Sequence, residues 1–201
     1  MPMRRAAILA FLILGVTSGA NAQEVQKAGG SYFVQTVSGA PRLCGYEFTT
    51  VFLDKTYKQG ALSAVAGSLV WADGKNGFAL LLKVNGIDYP GAEKLDMTMQ
   101  RFRPYSAYLA SANEPTMAAK PGGCEDPLSF CSVIDGDGAV QGLTQFLNGN
   151  LELVFNRIDG GLDIRLPVKE DVSDPTFVSG QHAFAGCLKA VHDRLETGSI
   201  K

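Results

Sequence analysis

The chain reads as mainly β, or α+β: an antiparallel sheet, curled or sandwiched, with a short helix before a hairpin at 151–168 and a C-terminal helix packed on it. Three observations predict this. Runs rich in aromatic and β-branched residues recur between Gly, Asn and Asp turn signals. The stretch 151–168, LELVFNRIDGGLDIRLPV, alternates apolar with polar residues on both sides of Asp159-Gly160, the period of half-buried strands. Apolar residues at helical spacing appear late, after Asp137 and after Ser179.

The first 22 residues read as a secretory signal. Arg4 and Arg5 supply a positive start, residues 6–16 an apolar run too short to span a bilayer, and Ala20-Asn21-Ala22 a small-x-small cleavage site. Cleavage there leaves 179 of 201 residues, enough for one β-rich domain over 31–195. Residues 23–30, ending in Gly29-Gly30, read as a flexible N-terminal tail, and 196–201 as a second tail.

Residues 31–37 (SYFVQTV) read as a first strand, Gly39-Ala40-Pro41 as a turn, and 43–53 as a second strand with Cys44, Tyr46 and Phe48 on one parity. The β-branched run Thr49-Thr50-Val51 weighs against a helix over 48–57, and 59–66 is ambiguous. Residues 68–72 and 78–84 form a hairpin around 73–77. Asn85-Gly86 signals a turn into a short strand at 87–89, and 95–102 is an imperfect strand closed by Pro104. Residues 105–112 suit a short helix or an irregular stretch, and 113–126 is a loop by composition.

Val140, Leu143, Phe146 and Leu147 predict a helix capped by Asp137 and stopped by Gly149. In the hairpin that follows, a two-residue turn at Asp159-Gly160 pairs Phe155 with Ile164, Leu153 with Leu166 and Leu151 with Val168. After a polar connection at 169–175, Phe184, Cys187, Leu188, Val191 and Leu195 mark the C-terminal helix, with Ser179 as its cap.

Four cysteines, an even number, lie beyond the signal. In an oxidising compartment this favours two disulfides, for which three connectivities exist. The short EDPLSF spacer, turned by Asp126-Pro127, suits Cys124 with Cys131 and leaves Cys44 with Cys187. A four-ligand zinc site fits poorly, because C-x6-C lacks the usual close pairing of ligands.

Chemistry is hard to find in this sequence. His182 and His192 lie ten residues apart on one helix and face different ways. There is no nucleophile elbow, no phosphate-binding glycine loop and no CxxC pair. Asp135-Gly136-Asp137-Gly138 hints at calcium, with Asp126 as a further ligand, but Phe146 stands where an EF-hand needs Glu; a turn and helix cap is the simpler reading. Tyr46, Phe48, Phe52, Tyr57, Trp71, Tyr105 and Tyr108 read as core or rim packing, with a groove near Trp71 and Tyr105 as the other option. Without the signal's two arginines the chain carries 16 basic against 20 acidic residues, which argues against nucleic acid and anionic lipid surfaces.

From Cys124 onward the order of features resembles the invasion-associated locus B family of small exported proteins of Gram-negative bacteria. The residues that carry it are Cys124 with Cys131, Gln145-Phe146-Leu147-Asn148-Gly149-Asn150, Leu151-Glu152-Leu153-Val154-Phe155, Gly161-Leu162-Asp163-Ile164-Arg165-Leu166, and a terminal segment from Phe184 to Val191 with Leu188 and Ala190. The resemblance implies an exported, β-rich, disulfide-bearing protein tied to interaction with host cells rather than to catalysis. Taken together, the expectation is an exported non-enzymatic binding or interaction protein of the bacterial envelope, periplasmic or secreted. No cofactor, metal or nucleic acid is expected, the partner is a protein or small molecule, and no transmembrane segment remains after cleavage. The alternative is a periplasmic hydrolase whose site is assembled from dispersed Asp, Glu, Ser and Tyr residues.

Overall fold

A computed structural model describes residues 23–74, 76–90, 99–111, 116–117 and 119–197. The expected signal at 1–22, the first half of the expected strand at 95–102 and the end of the expected tail at 196–201 lie outside these. The described chain forms antiparallel sheets with two helices, as the alternating runs predict.

The larger sheet is built from long neighbours in sequence. β1 (Glu24–Val37), β2 (Ala40–Asp54), β3 (Ala61–Gly74) and β4 (Gly77–Asp88) form a meander, continued by β8 (Phe130–Asp135) and β7 (Lys120–Gly122). β5 (Gln100–Phe102) pairs with the far end of β4. A second sheet has the order β10-β9-β6, from β10 (Ile164–Pro167), β9 (Leu151–Asn156) and β6 (Ser106–Ser111). The helices are α1 (Asp137–Leu147) and α2 (Phe177–Glu196).

The inner face of β2 meets each of the other layers in turn. Cys44 is bonded to Cys187 of α2, and Tyr46 packs its ring 4.9 Å from that of Phe146 in α1. Thr50 Oγ1 donates to the Pro167 carbonyl at 3.4 Å, and Phe52 meets Phe155 of β9 edge-on. Asp54, the last residue, faces Arg157. The helices therefore cover one end of the large sheet and the small sheet covers the other. Trp71, Leu80, Phe146 and Phe184 are fully buried between them.

Several expectations shift. The segment at 24–30, expected to be a tail, is paired with β2 through Leu53 to Phe48. Its apolar Val25 packs on the core, and Gly30 is required there, since a Cβ would lie 1.9 Å from the Glu47 carbonyl. The first turn falls at Ser38-Gly39, both with positive φ (52° and 78°), the geometry of a two-residue hairpin turn. Asn85-Gly86 does not turn the chain. β4 runs straight through it, held by β3 on one side and β5 on the other, and the Phe102 ring occupies the space a Cβ at Gly86 would take. Residues 106–111 form strand β6, not a helix, because β9 offers a full edge to pair with.

Both helix starts move slightly. Gly136, at φ 57°, is the N-cap of α1 and hydrogen-bonds the Phe78 carbonyl, leaving Asp137 as the first helical residue. α2 starts at Phe177 after Thr176, whose N–H donates to Asp174 Oδ1; Ser179 lies inside the first turn. The end of α1 is as expected. Gly149 takes φ 69°, its N–H reaches the Phe146 carbonyl and that of Asn150 the Gln145 carbonyl, a left-handed cap that satisfies two terminal carbonyls.

Both disulfides pair as spacing suggests, Cys44 with Cys187 and Cys124 with Cys131. Among the described residues no helix is long and apolar enough to cross a membrane.

Candidate functional site

The central hairpin has the expected register. Ile164 faces Phe155, Leu166 faces Leu153, and the Val168 N–H donates to the Leu151 carbonyl. Its turn is different. The strands part after Asn156, and residues 157–163 form a seven-residue loop in which only Gly160 has positive φ. The two-residue turn gives way because other parts of the fold hold both roots of this loop.

At the first root, Arg157 turns inward. Its guanidinium lies 2.7 Å from Asp54 Oδ2 and donates to both oxygens of Asp88 at 2.9 and 3.0 Å and to Ser63 Oγ at 3.2 Å. Ser63 in turn donates to Asp88 Oδ1, and Lys58 Nζ reaches Asp88 Oδ2 at 2.9 Å. The Phe102 ring covers the guanidinium, its centroid 3.7 Å from Cζ. The Arg157 side chain is only 8% exposed and that of Asp54 is fully buried. Asp54 also shapes the turn out of β2, where its Oδ1 accepts the N–H groups of Thr56 and Tyr57.

Three tyrosines hold the rest of the loop. Tyr57 donates to the Leu162 carbonyl at 2.5 Å and Tyr108 to Asp163 Oδ2 at 2.5 Å. Burial and then the Asp163 carboxylate push the Tyr108 phenol up to about 12, so it stays a donor. The Asp159 carboxylate likewise raises the exposed Tyr105 phenol. Gly161 lets the loop close on Tyr57, since a Cβ there would lie 2.4 Å from the Tyr57 hydroxyl. On this anchored loop Ile158 is 58% exposed and Leu162 64%, flanked by exposed Asp159 and Asp163.

The Ser63–Asp88 pair is poorly set up for general-base chemistry. Ser63 has a carboxylate partner, yet burial of Asp88 is outweighed by Lys58, Arg157 and Ser63, which hold its carboxyl below the ordinary value. A carboxylate so stabilised is a weak base, and Ser63 is fully buried.

The remaining candidates separate. His182 and His192 are both exposed, and His192 pairs with Glu196 on its own helix. Asp135 bonds Lys120 and Asn76, whereas Asp126 bonds Arg101 and Ser129. Among the described residues no group of three or more His, Cys, Asp or Glu is placed to hold a metal ion. Tyr46, Phe48, Phe52 and Trp71 are core residues, so a groove joining Trp71 to Tyr105 does not form; Tyr105 belongs to the loop site. Sequence reading missed Arg157, Asp54, Ser63 and Asp88, which sit near the ends of separate strands and form no motif. Compared with protein-family models, curated proteins and solved structures, the chain matches none.

Proposed function

We propose that the protein is an exported, non-enzymatic binding or interaction protein of the bacterial envelope, periplasmic or secreted, and that it docks a partner protein through the 157–163 loop. The observation that carries this reading is the exposure of Ile158 and Leu162 on a loop fastened at both roots. Large apolar side chains that are already ordered lose little entropy on binding, which is how a small contact gains affinity. Asp159 and Asp163 beside them favour a partner with an apolar pocket and a basic rim. Two disulfides suit an oxidising compartment, and the likeness to invasion-associated locus B proteins is in keeping with an interaction role outside the cytoplasm.

A hydrolase is the second reading, favoured by the convergence of Asp54, Asp88, Ser63 and Tyr57; the pairing of both carboxylates with Arg157 weighs against it. Photo-crosslinking separates the two. A benzophenone side chain placed at Leu162 should give a discrete adduct in the envelope fraction. One at the exposed Val178 of α2 should not, and Ile158→Asp should abolish the adduct. Equal labelling from both positions would count against the loop, and hydrolytic turnover lost in Ser63→Ala would establish the second reading.

A further inference from the structure

α1 meets the sheet through Ala139, Gly142 and the ring of Phe146. Ala139, Gly142, Gln145 and Phe146 are its buried residues, and a Cβ at Gly142 would stand 2.6 Å from Leu80 Cδ2. The close approach that Ala139 and Gly142 permit leaves other apolar side chains of α1 off the sheet: Val140 is 51% exposed and Leu143 is half-buried. Leu188 and Leu195 of α2 face them across a groove of about 500 Å³, floored by Phe78. That volume lies in the range of single small-ligand sites, roughly 300–1,000 Å³.

The polar groups of this groove are one-sided. Lys189 and His192 line it; their partners one turn on, Asp193 and Glu196, do not. Both pairs are exposed i,i+4 pairs of the kind that bind weakly and exchange readily for another anion. An apolar trough with the Lys189 ammonium and the His192 imidazole along one wall is complementary to a chain that is hydrocarbon along its length and anionic at its end.

We infer that the groove between α1 and α2 binds one long-chain fatty acid, its hydrocarbon laid on Val140, Leu143, Leu188 and Leu195 and its carboxylate received by Lys189 and His192. This site is independent of the 157–163 loop, and the two stand or fall separately.

The test is a titration of the purified exported chain with cis-parinaric acid, followed by fluorescence. Saturable one-to-one binding is expected, displaced by palmitate and at least tenfold less well by hexadecanol, which lacks the charge. Val140→Asp should weaken binding at least tenfold. Lys189→Glu should weaken palmitate several-fold and leave hexadecanol unchanged, whereas Val178→Asp and Leu162→Asp should bind as the parent does. Circular dichroism melting of each variant distinguishes lost binding from lost fold, and Val140 and Lys189 are exposed enough for the fold to persist. Three results would overturn the assignment: no saturable binding, binding indifferent to both Val140→Asp and Lys189→Glu, or a dimer that Val140→Asp dissolves, which would make a second copy the occupant.

Discussion

Arg157 shows how one residue sets the form of a loop. Burying a guanidinium and two carboxylates is expensive, and such a group is tolerated when its members satisfy one another. Truncating the cation leaves Asp54 and Asp88 facing each other in a buried site, with Lys58 and the Ser63 hydroxyl to answer Asp88. Arg157→Ala should therefore lower stability by about 3–5 kcal/mol in urea unfolding, and protease should then cut at 157–163. A loss under about 1 kcal/mol would mean that the cluster does not hold the loop. None of this was legible in the sequence. Arg157 is 69 positions from Asp88 and 94 from Ser63, and only sheet topology brings them together. The exposed Ile158 and Leu162 were visible as letters, but the alternating pattern around them pointed to a tight turn.

At the scale of elements, strands joined to their neighbour as a hairpin were the most readable. The 151–168 register follows from alternation alone, because a slip by one residue would expose the whole apolar face. The end of α1 was equally plain, since a left-handed residue after a helix calls for glycine. Gly149→Ala should cost about 1–2 kcal/mol, whereas Gly123→Ala, with open space and no positive φ, should be near neutral; thermal melts of the two variants check this. Reading failed where small residues decide the packing. Hydrophobicity placed Val140 and Leu147 inward, yet Ala139 and Gly142 are the residues that fit against Leu80 and Trp71, leaving Val140 and Leu147 about half exposed. Strand β6 was obscured for another reason: Tyr105 and Tyr108 recur at a spacing that suits a helix as well, and the pairing edge on β9 comes more than 40 residues later in the chain.

For the molecule as a whole, the Cys44–Cys187 bond joins the start of β2 to the middle of α2 across 143 positions, and Asp73 ties the same corner by accepting from Arg42 and Arg194. Cross-linking so long a loop removes far more freedom from the unfolded chain than the eight-residue ring at Cys124–Cys131 does. On the chain-entropy account the long link is worth about 5 kcal/mol and the short one about 2.5. Replacing Cys44 and Cys187 together by alanine should thus lower the melting temperature roughly twice as far as replacing Cys124 and Cys131, as scanning calorimetry would show.

The long bond also bears on how the protein meets proteases. Every backbone position from 45 to 186 lies inside the ring it closes, including both faces of the 157–163 loop. A single cut anywhere in that span adds one water and frees no fragment, so a nicked molecule migrates as one species until a reductant is added. Damage at the exposed tip would therefore stay attached to the body that carries it.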